Sequence, residues 1–398
     1  MSRSPSDRTR LIRSATRKPS EGRRPVNPPI ERASTLLNPG AATLRDSSLG
    51  PVYGIDGMTV QHELRALIAE LEGAADAWLT PTGLAAVTIP VLALTRPGDT
   101  VVATDAVYGP SRRFLDRHLS ARGVTTRYHP ADAATDQIIA ALDGAKLLLI
   151  ESPASLTFEM IDVPAVAAAA RARGVLTVMD NTWAAGLAFR PLAHGVDVSV
   201  QAVSKYAAGH SDLLMGAIAV SDARLGKAIF NTIEDMGWHT APDEAWLALR
   251  GLRTLPLRMN EHARSALQVA KWLQNRPEVA CVLYPPLPGS AGHDIWSRDY
   301  AGAAGLMGVV LRGGTEAEAE AVLDALTLFG LGYSWGGFES LATHETSQMA
   351  LRRHPATLEG PLIRLHIGLE DPADLIADLE AALKVWRARQ DSNLQPSA

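Results

Sequence analysis

Lys205 follows an apolar stretch and precedes a glycine-containing turn in VDVSVQAVSKYAAGHSD. A lysine at the end of a buried strand either carries its charge to water along its stem or has a lowered pKa and attacks carbonyl groups. Spacing alone leaves both readings open. Twenty-five residues upstream, VLTVMDNTWAAG puts Asp180 at the end of another apolar run, where a carboxylate caps the next turn or faces a cation. A third device lies in TPTGLAAVTIPVLAL, where Thr82, Gly83 and Leu84 open a helix directly after a short strand at Ala77–Leu79. The free amides of that first turn and the helix dipole make an anion site. Ser204 can add a hydroxyl, and Tyr108 in TDAVYGPS can cover a planar ring while its OH faces a substrate.

Amine, carboxylate, anion cradle and aromatic cover together match one cofactor, pyridoxal 5'-phosphate. A lysine binds its aldehyde covalently, and a carboxylate keeps its pyridine nitrogen protonated, so that the ring accepts electrons.

These groups need a scaffold that brings distant segments to one edge. HELRALIAELEG, residues 62–73, spaces Leu64, Leu67, Ile68 and Leu71 as one helical face and stops at Gly73. Short apolar runs bounded by Gly, Pro or Asp recur at Asp99–Ala103, Gly123–Tyr128, Lys146–Glu151, Val175–Asp180, Val196–Gln201 and Gly216–Val220, and each reads as a buried strand. Ala-rich segments such as Pro164–Arg173 read as the helices between them. The order βαβα predicts an α/β fold with a mostly parallel sheet flanked by helices, and ligands at the carboxyl ends of its strands. Beyond about residue 240, a helical stretch from Pro242 to Asn275 precedes strands near Val279–Tyr284, Leu306–Leu311 and Leu362–Ile367, the pattern of a linker helix and a smaller α+β unit. The expected division is an N-terminal arm at 1–59, a large domain at 60–240 and a C-terminal domain at 241–398. The polar tail RQDSNLQPSA is expected to fray.

Composition removes several classes. With 46% apolar and 20% charged residues, the 398-residue chain is globular. Its net charge of −5 gives no reason to expect nucleic acid as a partner. Residues 1–32 hold nine Lys/Arg and three Asp/Glu, a basic arm read as flexible and broken by prolines. The single cysteine, Cys281 in VACVLYP, permits no internal disulfide, reads as a packed thiol and suits a reducing cytoplasm. No apolar stretch reaches 18 residues without a charge or a proline, so no membrane span is expected. GxxxxGK[ST], HExxH, CxxC, GxSxG and an early GxGxxG are all missing.

In chain order, VYGIDGMT, PTGLAAV, TDAVYGPS, ESPASLTFEMIDVP, DNTWAAG, VQAVSKYAAGHSD, GLRTL, LPGSAGH, YSWGGFESL and LIRLHIGLED resemble the Cys/Met-metabolism family of pyridoxal phosphate enzymes. The resemblance covers roughly residues 25–390. It implies the pyridoxal phosphate-dependent transferase fold of type I, as in aspartate aminotransferase. It also assigns roles. Lys205 is the cofactor lysine and moves the proton released from the substrate Cα; Asp180 pairs with the pyridine nitrogen; Tyr108 stacks on the ring. The amides of Gly83 and Leu84 and the Ser204 hydroxyl hold the phosphate. Arg364 clamps the substrate α-carboxylate, and Ser334 and Trp335 line the pocket beside it. Tyr53 reaches the site from a neighbouring subunit, which implies a homotetramer built as a dimer of dimers. The chain departs from many relatives at Ile55, followed by Asp56, where an arginine usually neutralises the phosphate, and at Ala202, where a serine is common.

The resemblance is strongest to the β-eliminating carbon–sulfur lyases of methionine biosynthesis. Trp335 stands where γ-lyases and synthases more often carry an aliphatic residue, and Pro110 where methionine γ-lyases tend to carry a cysteine. The implied reaction is β-elimination of L-cystathionine to homocysteine, pyruvate and ammonia. A γ-lyase or cysteine desulfhydrase of the same family is the alternative, and a non-catalytic binding protein on the same fold a remoter one.

Overall fold

The computed structural model describes residues 6–13, 22, 23 and 25–393. Seven strands form the first sheet: β1 (Asp76–Thr80), β2 (Thr100–Thr104), β3 (Thr125–His129), β4 (Leu147–Glu151), β5 (Leu176–Asp180), β6 (Val198–Gln201) and β7 (Gly216–Val220). Their order is β1-β7-β6-β5-β4-β2-β3. Only β7 runs against its neighbours, β1 and β6, while β3, β2, β4, β5 and β6 pair in parallel. β4 to β7 are almost wholly buried, as expected of strands covered by helices on both faces. The parallel order turns the carboxyl ends of β2, β4, β5 and β6 to one edge. There Glu151 and Asp180, the last residues of β4 and β5, lie side by side in register.

Helices hold this edge in place. The Thr59–Glu72 helix buries Leu64, Leu67, Ile68 and Leu71, and ends on Gly73 at φ +67°, a left-handed stop that glycine adopts without cost. The Gly83–Leu94 helix starts three residues after β1, capped by the Thr82 hydroxyl, which accepts from the Ala85 amide at 3.0 Å.

A second sheet holds β8 (Val279–Leu283), β9 (Leu306–Leu311), β10 (Gly330–Leu331), β11 (Leu341–His344) and β12 (Leu362–His366), in the order β10-β11-β12-β9-β8. All its pairings are antiparallel except β10 with β11.

Four expectations need correction. The stretch from Pro242 to Asn275 is two helices, Pro242–Leu252 and Leu255–Gln274, because Pro256 has no amide to continue the first. Cys281 is exposed rather than packed. It lies on the edge strand β8, where the pairing with β9 slips between Val279 and Cys281 and turns the thiol outward. The basic arm is not flexible throughout: Asp7–Arg13 is a helix whose Leu11 is buried in the main core, tied to Arg190 through Asp7 at 2.8 Å. Pro25, Pro28 and Pro29 follow it, and Pro5 and Pro19 lie outside the described residues. At the other end, the Pro372–Asn393 helix runs well into the polar tail. Among the described residues, no helix is long and apolar enough to cross a membrane.

Candidate active site

A cavity of about 290 Å³ opens at the carboxyl edge of the seven-stranded sheet, and Lys205 projects into it. The Lys205 ammonium donates to the Ser334 hydroxyl at 2.9 Å and lies 5.8 Å from the centre of the Trp335 ring. Burial, then the nearby Arg364 charge, push its pKa down, while Asp180 pulls it up. The backbone that presents Lys205 is fixed from behind. Arg258 donates to the carbonyls of Tyr206 (2.7 Å), Ala207 (3.2 Å) and Gly251 (2.8 Å). Gly209, at φ +71°, sits where a Cβ would overlap that guanidinium.

Asp180 lines the same cavity. Its Oδ1 accepts from the Thr182 amide at 3.0 Å and the Thr182 hydroxyl at 2.5 Å, and that hydroxyl accepts in turn from the Ala202 amide at 2.9 Å. Burial raises the Asp180 pKa, opposed by the Thr182 hydrogen bonds and the Lys205 charge. Glu151, buried beside it, accepts from the Tyr108 amide at 2.7 Å, and burial with the Asp180 charge holds its pKa well above the ordinary range. Adjacent buried carboxyls resist double ionisation. Of the two, Asp180 has the Thr182 hydrogen bonds and the Lys205 charge in favour of its ionised form.

The first turn of the Gly83–Leu94 helix forms another wall of the cavity, with Ser204 next to it. A Cβ on Gly83 would lie 2.3 Å from that of Ala202, so only glycine lets the helix start approach the loop that carries Ser204 and Lys205. The Gly83 and Leu84 amides precede the first intrahelical bond and are free to take an anion. Tyr108, at the start of the Gly109–Arg113 turn, also lines the cavity. Burial, with Glu151 and Asp180, raises its hydroxyl pKa. Amine, carboxylate, ring and anion cradle converge in one cavity, a donor set that fits pyridoxal phosphate.

Arg364 on β12 enters from the second sheet. Its Nη1 is 3.4 Å from Oε1 of Glu345, which is fully buried and also accepts from the Thr343 hydroxyl at 2.7 Å. Its Nη2 approaches the Ser334 carbonyl at 3.5 Å. Ser334 has φ +94°, an unusual value for a side chain other than glycine, in a loop pressed onto the Lys205 backbone. A Cβ on Gly336 would come within 2.7 Å of the Tyr206 amide nitrogen. Trp335 packs on Tyr206 with ring centres 5.4 Å apart. Tyr53 does not join the site of its own chain. It is 55% exposed, with its amide bonded to Asp56 at 3.0 Å. Glu151, Thr182 and Glu345 are the residues that motif reading missed. Only Glu151, first in ESPAS, and Thr182, two after Asp180, carried a signal.

Behind the site, Glu72 ends the Thr59–Glu72 helix, fully buried, and accepts from the Ser199 hydroxyl and from the Gln201 side-chain Nε2, each at 3.0 Å, on the strand that leads to Lys205. Burial raises its pKa to about 7, against Ser199, Asn181 and Arg190. A folded value above the ordinary 4.5 means that the fold favours the neutral acid. Stability from this group is therefore full below about pH 4.5 and declines as pH rises to about 7, by roughly 3 kcal/mol. Urea unfolding of the wild type and Glu72→Gln across this range tests it: their stability difference is expected to change by that order, whereas a pH-independent difference contradicts it.

Residues 8–384 match the family described as Cys/Met metabolism PLP-dependent enzyme. The chain is 41% identical over 378 residues to the cystathionine beta-lyase of Bordetella avium, covering 93% of this chain and 95% of that one. It is 41% identical over 367 residues to the cystathionine beta-lyase of Escherichia coli K12, covering 89% and 93%. The solved structure of cystathionine gamma synthase from Xanthomonas oryzae pv. oryzae in complex with cystathionine superposes with a TM-score of 0.88, at 32% identity, covering 97% of this chain and 100% of that one. A cavity built for pyridoxal phosphate, a match over most of the length and a shared fold lead to one conclusion: the chain belongs to the Cys/Met-metabolism family of pyridoxal phosphate-dependent enzymes.

Proposed function

We propose that this enzyme is a carbon–sulfur lyase that cleaves L-cystathionine by β-elimination to homocysteine, pyruvate and ammonia. The observation that carries this reading is the convergence of Lys205, Asp180 and Arg364 in one cavity walled by Trp335. The relatives named as cystathionine beta-lyases, 41% identical over most of the chain, support the choice of bond.

Pyridoxal phosphate, when bound, supplies an electron sink for the pair left at the substrate Cα. The residues do the rest. Lys205 would hold the cofactor, and its amine would take the proton from the substrate Cα and deliver it to the leaving sulfur. Burial and the Arg364 charge push its pKa down, which favours the free amine over the ammonium. Asp180 would pair with the pyridine nitrogen, held in place by the Thr182 hydrogen bonds. Tyr108 would cover the ring, while Gly83, Leu84 and Ser204 would take the phosphate. Arg364 clamps the α-carboxylate, oriented by Glu345 and by the loop that holds Ser334. Water then completes the release of pyruvate and ammonia.

Tyr53 serves a neighbouring subunit in this reading, which makes the enzyme a homotetramer of paired dimers. Its free thiol, Cys281, suits the reducing cytoplasm. Product analysis with L-cystathionine tests the function: pyruvate with homocysteine is expected, and 2-oxobutyrate with cysteine would make the enzyme a γ-lyase.

A further inference from the structure

The loop that carries Ser334 and Trp335 is gripped at two points by β12. Arg364 and His366 lie two residues apart on that strand and so share a face. Arg364 Nη2 approaches the Ser334 carbonyl at 3.5 Å, and His366 Nε2 accepts from the Gly336 amide at 3.1 Å, two residues further along the loop. Nε2 also lies 3.2 Å from the Gly337 carbonyl. The imidazole is 1% exposed, and its Nδ1 has no partner among the described residues. An apolar side chain would fill the same space without stranding a buried polar atom, so packing alone does not explain a histidine here.

Burial, then His262, push the His366 pKa down to about 3. A neutral ring with its proton on Nδ1 leaves the Nε2 lone pair to the Gly336 amide. His262 and Tyr206 pack against the imidazole, with ring centres 5.3 Å and 5.8 Å away, and fix its orientation. His262 is itself tied through Nδ1 to the Ile367 carbonyl at 2.8 Å, and the Tyr206 hydroxyl accepts from the Gly305 amide at 2.7 Å. Tyr206 follows Lys205 in the chain, so one buried cluster joins the lysine backbone to the loop whose Ser334 hydroxyl meets the lysine nitrogen.

We propose that His366 is a positioning residue that, through the Gly336 amide, sets Ser334 and Trp335 against the Lys205 amine. This deepens the lyase reading and rests on it for Lys205 as the proton-transfer group. A misplacement of about 1 Å around such a group costs up to roughly 10²-fold in rate. Substrate binding should change less, because Arg364 keeps its pairing with Glu345.

The test compares His366→Gln with His366→Asn in the holoenzyme. Both replace the ring with a polar amide, but glutamine reaches the place of Nε2 and asparagine only that of Nδ1. With L-cystathionine, His366→Asn is expected to lower kcat about 30-fold with KM within about threefold, while His366→Gln keeps most of the wild-type kcat. The pH midpoint at which covalently held cofactor changes its visible absorbance should move by about half a unit in His366→Asn and stay in place in His366→Gln. In a Ser334→Ala background the loss caused by His366→Asn should shrink, as for two residues that act through one contact. Should His366→Asn not fold, His366→Leu, which fills space without an acceptor, replaces it in the same comparison. Equal losses in the glutamine and asparagine variants, or wild-type kcat in both, overturn the proposal. A wild type with the absorbance of lysine-bound cofactor but no pyruvate release would overturn the lyase reading instead, and the midpoints would still judge His366.

Discussion

Lys205→Ala is expected to lower kcat/KM for cystathionine by about 10⁴-fold, the scale of losing both a covalent anchor and a proton-transfer group. The same variant should lose the visible absorbance of covalently held cofactor. Stability should not fall. The Lys205 charge is costly where it stands, since burial and Arg364 both push its pKa down. The loop around it is held by Arg258 through the carbonyls of Tyr206 and Ala207, not by the lysine side chain. A folded, inactive protein without that absorbance is thus the predicted outcome, read by pyruvate release, spectroscopy and thermal unfolding. Normal pyruvate release from the variant would remove Lys205 from the mechanism.

Arg364→Ala is expected to lower kcat/KM by about 10²-fold or more, in line with the truncation of a desolvated, hydrogen-bonded charge pair. Cofactor affinity should change far less. The variant also strands Glu345, fully buried and left without its cation, at a cost of about 3 kcal/mol in stability. The double variant Arg364→Ala with Glu345→Gln separates the two effects. It should regain stability but not activity, and recovery of activity would show that Arg364 acts on the fold rather than on the substrate. Unchanged kcat/KM in the single variant would contradict the carboxylate clamp.

Much of this arrangement was legible in residue order. The strands that end at Asp180 and Gln201 are short apolar runs bounded by turn residues, and the predicted boundaries fall within one or two residues of β5 and β6. The missed features depend on pairings that a linear pattern does not encode. Glu345 looks like one more loop acid until the antiparallel pairing of β11 with β12 brings it to Arg364. β11 itself escaped notice, since LATH is four residues long with no clear alternation. Cys281 misled because an apolar neighbourhood reads as core, whereas a one-residue slip at a sheet edge reverses the direction of a side chain.

The most direct test of the central claim follows a ¹³C label at C3 of the cysteine half of L-cystathionine through a single reaction, by NMR. β-Elimination through Lys205 predicts that the label appears in the methyl group of pyruvate, with unlabelled homocysteine, and that Lys205→Ala leaves the substrate intact. Label recovered in cysteine, with unlabelled 2-oxobutyrate, would contradict the account.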